Sequence, residues 1–212
     1  MKIDRSGIPF IAGALVIAIL LALSPYAPAA ILFLVLAGFF VYFFRDPERT
    51  IPANPDAVVS PADGRVTVAG AANPRWSPPG EWKQVTIFLS PMDVHINRTP
   101  VGGRITRVDY RKGKFLPAYK EAANDNELNE VWVDYGSRQV VFRQVVGILA
   151  RRIVCRVREG QTLQRGERVG LMKFGSRMDV FLPTDAEILT KVGEHVVGGE
   201  TVIARLSQRG AR

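Results

Sequence analysis

Hydrophobic and polar positions divide this chain into two regimes. Residues 8–44, "IPFIAGALVIAILLALSPYAPAAILFLVLAGFFVYFF", form an apolar run without a single charge. A membrane crossing needs ~20 apolar residues, so the run is too long for one helix and tight for two. The "SPYAP" interruption, with Pro25 and Pro28, predicts a break between two short helices. Past residue 50 the pattern shortens to segments such as "AVVSPADGRVTVAG", "QVTIFLS", "GGRITRVDY", "NEVWVDYG", "RQVVFRQVVG", "RRIVCRVRE" and "MDVFLP". They are rich in Val and Ile, often alternate, and are punctuated by Gly, Pro, Asn or Asp, which predicts strands. Only 116–130, "LPAYKEAANDNELNE", reads as helical. Many closely spaced strands without intervening helices predict a mainly β fold, an antiparallel barrel or sandwich with few short helices. The division is then 1–50, a hydrophobic helical hairpin with its juxtamembrane segment, and 51–212, a β domain.

Charge refines both parts. Lys2 and Arg5 precede the apolar run, and Arg45 and Arg49 follow it. The positive-inside rule therefore places both ends, and the β domain, on the cytoplasmic side of the cell membrane. A hairpin lying within one leaflet is the alternative to two full crossings. A cleaved signal peptide is disfavoured, because the run continues far past a 7–15-residue h-region. The net charge of +8 comes entirely from residues 98–175, with sixteen basic against eight acidic side chains. Such a surface suits nucleic acid or anionic lipid. The chain lacks interleaved aromatics and any nucleic-acid motif, and with the anchor this argues against a nucleic-acid partner. The single cysteine, Cys155, reads as a strand residue, and only two histidines are present, His95 and His195. No disulfide framework and no zinc-ligand spacing exists, so thiol–imidazole, haem and metal chemistry are not expected. The tail "AEILTKVGEHVVGGETVIARL" reads strand, turn, strand, with His195 as an exposed turn residue. Its "VGEHVVGGETV" resembles the hairpin of biotinyl- and lipoyl-type barrel sandwiches.

One dipeptide remains to be placed. Gly-Ser is nearly always a turn. Here, however, the flanks of Gly175-Ser176, "VGLMKF" and "RMDVFLP", are both strand-like, so the dipeptide interrupts one extended segment. A Gly–Ser bond held this way suits intramolecular attack of the serine hydroxyl on the preceding carbonyl, which Gly leaves unhindered. The resulting ester can eliminate, releasing the upstream chain and leaving dehydroalanine, which hydrolyses to a pyruvoyl group and ammonia. A pyruvoyl carbonyl is a built-in electron sink.

At this point five ordered stretches resemble one family. They are "FFRDPER" at 43–49, "VVSPADGRV" at 58–66, "FLSPMDVHINRTPVGGRI" at 88–105, "NELN" at 126–129 and "KFGSRMDVFLP" at 173–183. Together they resemble phosphatidylserine decarboxylase proenzymes of the short bacterial and archaeal form, a match more specific than any one motif. The resemblance implies self-cleavage between Gly175 and Ser176 into a β chain, 1–175, and an α chain, 176–212, that stay associated. Ser176 would become the pyruvoyl cofactor, with no metal. Asp63 matches the aspartate associated with self-cleavage, and His95 the histidine associated with decarboxylation. The substrate would be phosphatidylserine in an anionic membrane, and the product phosphatidylethanolamine. Arg98, Arg104 and Arg107 are candidates for the phosphate and carboxylate of the headgroup, by position alone. The longer forms carry a second histidine where this chain has Arg98, and Leu-Gly-Ser-Thr where it has "FGSR", so the base for maturation stays open between His95, Asp63 and strain.

Two rivals accompany this reading. A membrane-anchored barrel-sandwich adaptor makes no demand on Gly175-Ser176, and a pyruvoyl decarboxylase of a soluble amino acid would leave the anchor without a purpose. Oligomeric state, including a homo-oligomer, is left open.

Overall fold

The computed structural model describes residues 2–118, 121–147, 152–173 and 176–206, without the side chains of 121 and 122. Two compact units form, Met1–Glu48 and Arg49–Arg212.

The first unit is the expected hairpin. Helix α1 (Ile8–Ala22) and helix α2 (Ala30–Phe43) are joined through a 3-10 turn at Ala27–Ala29 that carries Pro28 in its first turn. Proline is tolerated there because the first turn of a helix has no partner for its N–H. Ala14, Ala18, Ala30 and Ala37 are the small residues buried where the helices pack, while Leu20, Leu23 and Ile31 face outward. Helices that are apolar on every side belong in lipid or in a large core. The helical run Arg5–Ala22 is long and apolar enough to cross a membrane by length and composition; Ala27–Phe43 is shorter. Short strands β1 (Lys2–Ile3) and β2 (Arg45–Asp46) pair and close the open end of the hairpin.

The second unit is built from antiparallel strands: β3 (Ala57–Val59), β4 (Gly64–Ala71), β5 (Lys83–Leu89), β6 (Ile96–Arg98), β7 (Gly103–Arg111), β8 (Leu128–Tyr135) and β9 (Arg138–Val146). They continue with β10 (Ile153–Cys155), β11 (Thr162–Leu163), β12 (Arg168–Met172), β13 (Ser176–Leu182), β14 (Glu187–Ile188), β15 (His195–Val196) and β16 (Val202–Arg205). Eight of them form one sheet in the order β11-β7-β8-β9-β13-β5-β4-β15, and two three-stranded sheets, β10-β12-β6 and β14-β16-β3, accompany it. Among the described residues the edge strands β11 and β15 do not pair with each other, so the large sheet is open and not a closed barrel.

Alternation fixes what each face of the large sheet does. Met178, Val180 and Leu182 of β13 join Ile87 and Leu89 of β5, Phe142 of β9, and Val131 and Val133 of β8 in one buried apolar cluster. The opposite face carries Arg177 and Asp179, also buried, beneath segments that include Trp76 and Ala118.

Two details depart from the sequence pattern. The helix expected over 116–130 shrinks to a 3-10 turn at Glu121–Asp125, and 128–130 enter β8. Asn126 accounts for this, because its side chain bonds backbone groups of Leu116 and Val146 and so competes with helical pairing. In the C-terminal segment β14 pairs with β16, while β15 between them leaves to join β4.

Candidate active site

Ser176 is the first residue of β13, whose neighbours on either side are β5 and β9; its partners in register are Leu89 and Val146. It shares the core-facing side with Met178, and its side chain is fully buried. Among the described residues its Oγ has no hydrogen-bond partner. A buried hydroxyl without a partner is costly and rare, and asks for a chemical reason. Gly175, the other half of the expected cleavage site, lies outside the described residues.

His95 approaches from the core side. Strand β6, which follows it, pairs Ile96 with Leu171 and Asn97 with Gly170 on β12, and β12 ends at Met172, four residues before Ser176. Asn97 accepts a 2.9 Å hydrogen bond from Gln144, which lies directly opposite Met178. His95, two residues before Asn97 in the same extended run, thus belongs to the layer covering the sheet face that bears Ser176. It is almost wholly buried, and its Nδ1 lies 2.9 Å from the carbonyl oxygen of Asp93. A carbonyl only accepts, so Nδ1 carries the proton and Nε2 of the neutral ring is the basic nitrogen.

Asp63 stands at the same end of the sheet. Register pairs Arg65 with Phe88, which puts Gly64 level with Leu89 and hence with Ser176, two strands away. Two strand spacings are roughly 10 Å. Its carboxylate accepts hydrogen bonds from Arg49 at 2.7 and 2.9 Å and from the Gly198 N–H at 2.8 Å. The following residue must be glycine. At Gly64 φ is +150°, and a Cβ would lie 2.2 Å from the Phe88 carbonyl oxygen.

The three arginines separate. Arg98 is buried on β6 beside this region, and its Nη1 donates to the Gly166 carbonyl at 2.9 Å. Arg104 and Arg107 are exposed on β7, three strands from β13. The residue of β7 level with the start of β13 is Arg111, through Leu128 and Val145. Arg104 lies toward the opposite end of the strand, roughly 20 Å away. Arg107 pairs with Asp109 on its own strand. The structure does not bring these two to Ser176.

Several participants escaped the sequence reading. His195 is exposed, as expected, but it is a strand residue whose Nε2 lies 3.1 Å from Asp93 Oδ1, so both histidines converge on one aspartate. The turn before it is set by Glu194. The Lys191 backbone N–H and then the Thr190 hydroxyl hold that carboxyl below its ordinary value of 4.5. Behind the sheet, Arg177 contacts Asp179 at 3.0 Å and donates to Asn124 at 2.8 Å, while Thr86 donates to Asp179 at 2.8 Å. These groups border a cavity of about 320 Å³ lined by Arg177, Thr86, Gln84, Asn73, Trp76 and Ala118. Nothing in the alternation of "GSRMD" marks this second face as buried.

Among the described residues no cluster of His, Cys, Asp and Glu could hold a metal ion. Comparison with known proteins supplies the remaining finding. A family model described as "Phosphatidylserine decarboxylase" matches residues 36–204. A protein of Desulfotalea psychrophila is 38% identical over 210 residues, covering 97% of each chain. One of Magnetococcus marinus is 43% identical over 207 residues, covering 96% of this chain and 95% of its own. One of Wolbachia sp. subsp. Brugia malayi is 43% identical over 173 residues, covering 79% and 75%. All three are named "Phosphatidylserine decarboxylase proenzyme".

Proposed function

The chain belongs to the phosphatidylserine decarboxylase family, and from that premise we propose that it is a membrane-held proenzyme that cleaves itself between Gly175 and Ser176 and then decarboxylates phosphatidylserine to phosphatidylethanolamine. The observation that carries this reading is the Ser176 hydroxyl, fully buried at the start of a central strand and without a hydrogen-bond partner among the described residues. Nothing described there ties the nucleophile down, and its neighbours on both sides hold its backbone in place. Such positioning turns attack on the preceding carbonyl into an intramolecular step. The hydroxyl proton leaves to a base, the Gly175 acyl group moves from nitrogen to oxygen, and elimination separates the fragments.

The pyruvoyl group left at position 176 supplies the electron sink for loss of carbon dioxide. The residues around it do the rest. His95, held by the Asp93 carbonyl in one tautomer, moves a proton to and from the reacting carbon. Asp63, fixed by Arg49 and Gly198, serves self-cleavage. Of the arginines considered for the headgroup, Arg98 alone shares a strand with the His95 region. Cleavage leaves the fragments joined, because β13 stays flanked by β5 and β9, β15 by β4, and β16 by β3.

A lipid with two acyl chains does not leave the bilayer, so the enzyme must come to it. The hairpin holds the chain at the membrane, and Lys2, Arg5, Arg45 and Arg49 favour the cytoplasmic side for the catalytic unit. The test is direct: purified protein given phosphatidylserine in mixed micelles releases carbon dioxide and forms phosphatidylethanolamine, and Ser176→Ala does neither. Equal turnover by both proteins overturns the proposal.

A further inference from the structure

The end of the sheet that holds Ser176 also carries exposed apolar side chains on both flanks, one flank of them set among basic residues. On the β9 side, Asn126 donates to the carbonyl of Val146, the residue opposite Ser176, and exchanges two hydrogen bonds with Leu116. Phe115, beside Leu116, is 39% exposed, and Tyr110 at the end of β7 is 54% exposed. Residues 110–116 include Arg111, Lys112 and Lys114 and no acidic residue. These three are exposed, and Lys114 lies 3.3 Å from Asp125. On the β5 side, the chain runs from Leu89, opposite Ser176, into a turn where Met92 is 58% exposed. Apolar side chains therefore stand on both flanks of Ser176.

Single exposed hydrophobic residues are ordinary. Here Tyr110 and Phe115 share one exposed segment with three basic residues, and Met92 stands on the other flank of the same strand end, a pattern with a purpose. We infer that this rim is the surface by which the catalytic unit docks on an anionic lipid bilayer. Phe115, Tyr110 and Met92 enter the boundary between headgroups and acyl chains, and Arg111, Lys112 and Lys114 meet lipid phosphates. The inference rests on the reading of Ser176 as a site of lipid chemistry, and it names the surface through which that site reaches its substrate. The charge favours lipid over a protein partner, since a polybasic segment is drawn to an anionic surface and its aromatic neighbours suit the interface.

Two measurements on the full chain in vesicles test it. In Phe115→Trp, the added fluorescence above the background of Trp76, Trp82 and Trp132 should be quenched by lipids brominated on their acyl chains. In Arg111→Glu/Lys112→Glu, the ratio of activity on phosphatidylserine in vesicles to activity on short-chain phosphatidylserine in micelles should fall at least about tenfold, and added salt should shrink the difference. An added signal that bromine does not quench overturns the inference, as does an unchanged vesicle-to-micelle ratio. A signal shielded from water without bromine quenching overturns it in favour of a protein contact. If the unmodified protein is inactive on every substrate, the functional reading falls, while the quenching result still decides for or against the rim.

Discussion

Replacing Asn126 by alanine strikes the scaffold of the site without touching Ser176. The Asn126 side chain, 2% exposed, accepts from the Leu116 N–H at 2.9 Å and donates to the carbonyls of Leu116 at 2.7 Å and Val146 at 2.8 Å. Val146 is fully buried, so its carbonyl loses its side-chain donor with no water to replace it, at about 1–3 kcal/mol. Leu116 is only partly buried, and its two bonds together are worth about 1–2 kcal/mol. The sum, about 3 kcal/mol, corresponds to a thermal midpoint lowered by roughly 6–12 °C for a unit of this size. Because Val146 is the register partner of Ser176, the loosened end of β9 also frees the nucleophile from its geometry. A displacement of about 1 Å costs around 100-fold in rate, so precursor should accumulate. The assay is thermal unfolding in detergent, alongside a gel time course of precursor disappearance. Asn126→Asp, which turns a carboxylate oxygen toward both carbonyls at a buried position, should destabilise at least as much as Asn126→Ala. An Asn126→Ala protein that melts within about 2 °C of the parent and matures at the parental rate would refute the reasoning.

Three further outcomes are expected. His95→Asn should still yield both fragments on a denaturing gel, while carbon dioxide release drops by about 10²–10⁴-fold, the usual worth of a general acid–base group; a protein that stays full-length would move His95 to the self-cleavage step, and one that cleaves and turns over at the parental rate would remove it from both. Asp63→Asn keeps an acceptor for the Gly198 N–H but removes the charge that faces Arg49, and should slow the appearance of fragments; unchanged maturation would remove Asp63 from that step. Glu194 has a folded pKa below its ordinary 4.5, so its contribution is present above that value and is lost as pH falls through the lower one. The stability advantage over Glu194→Gln should therefore be present at neutral pH and vanish in acid, and a gap that widens on acidification would contradict it.

The strands were legible because alternation survives in them: Met178, Val180 and Leu182 against Ile87 and Phe142 is the period-2 pattern of a core face. The break between the two helices was legible from Pro25 and Pro28. What alternation hides is burial on both faces. Arg177 and Asp179 read as solvent-facing positions, yet each is buried, because segments around Trp76 and Asn124 cover that side and their contacts are long-range in sequence. The 116–130 segment misleads in the other direction, since its helical composition yields to the three bonds of Asn126. Arg104 and Arg107 follow closely on the His95 stretch, but the bend at Pro100–Val101 sends β7 off with its first residues at the far end of the sheet. Sequence nearness therefore did not become spatial nearness. His195 joins Asp93 across 102 residues, through a register that the sequence does not display.

The central claim is that Ser176 is a cofactor in precursor form, and the intact mass of the purified protein tests it most directly. The account predicts two fragments, 1–175 and 176–212, with the smaller bearing an N-terminal pyruvoyl group that blocks sequencing, and a single full-length mass for Ser176→Ala. One full-length mass for the unmodified protein, unchanged by Ser176→Ala, would contradict it.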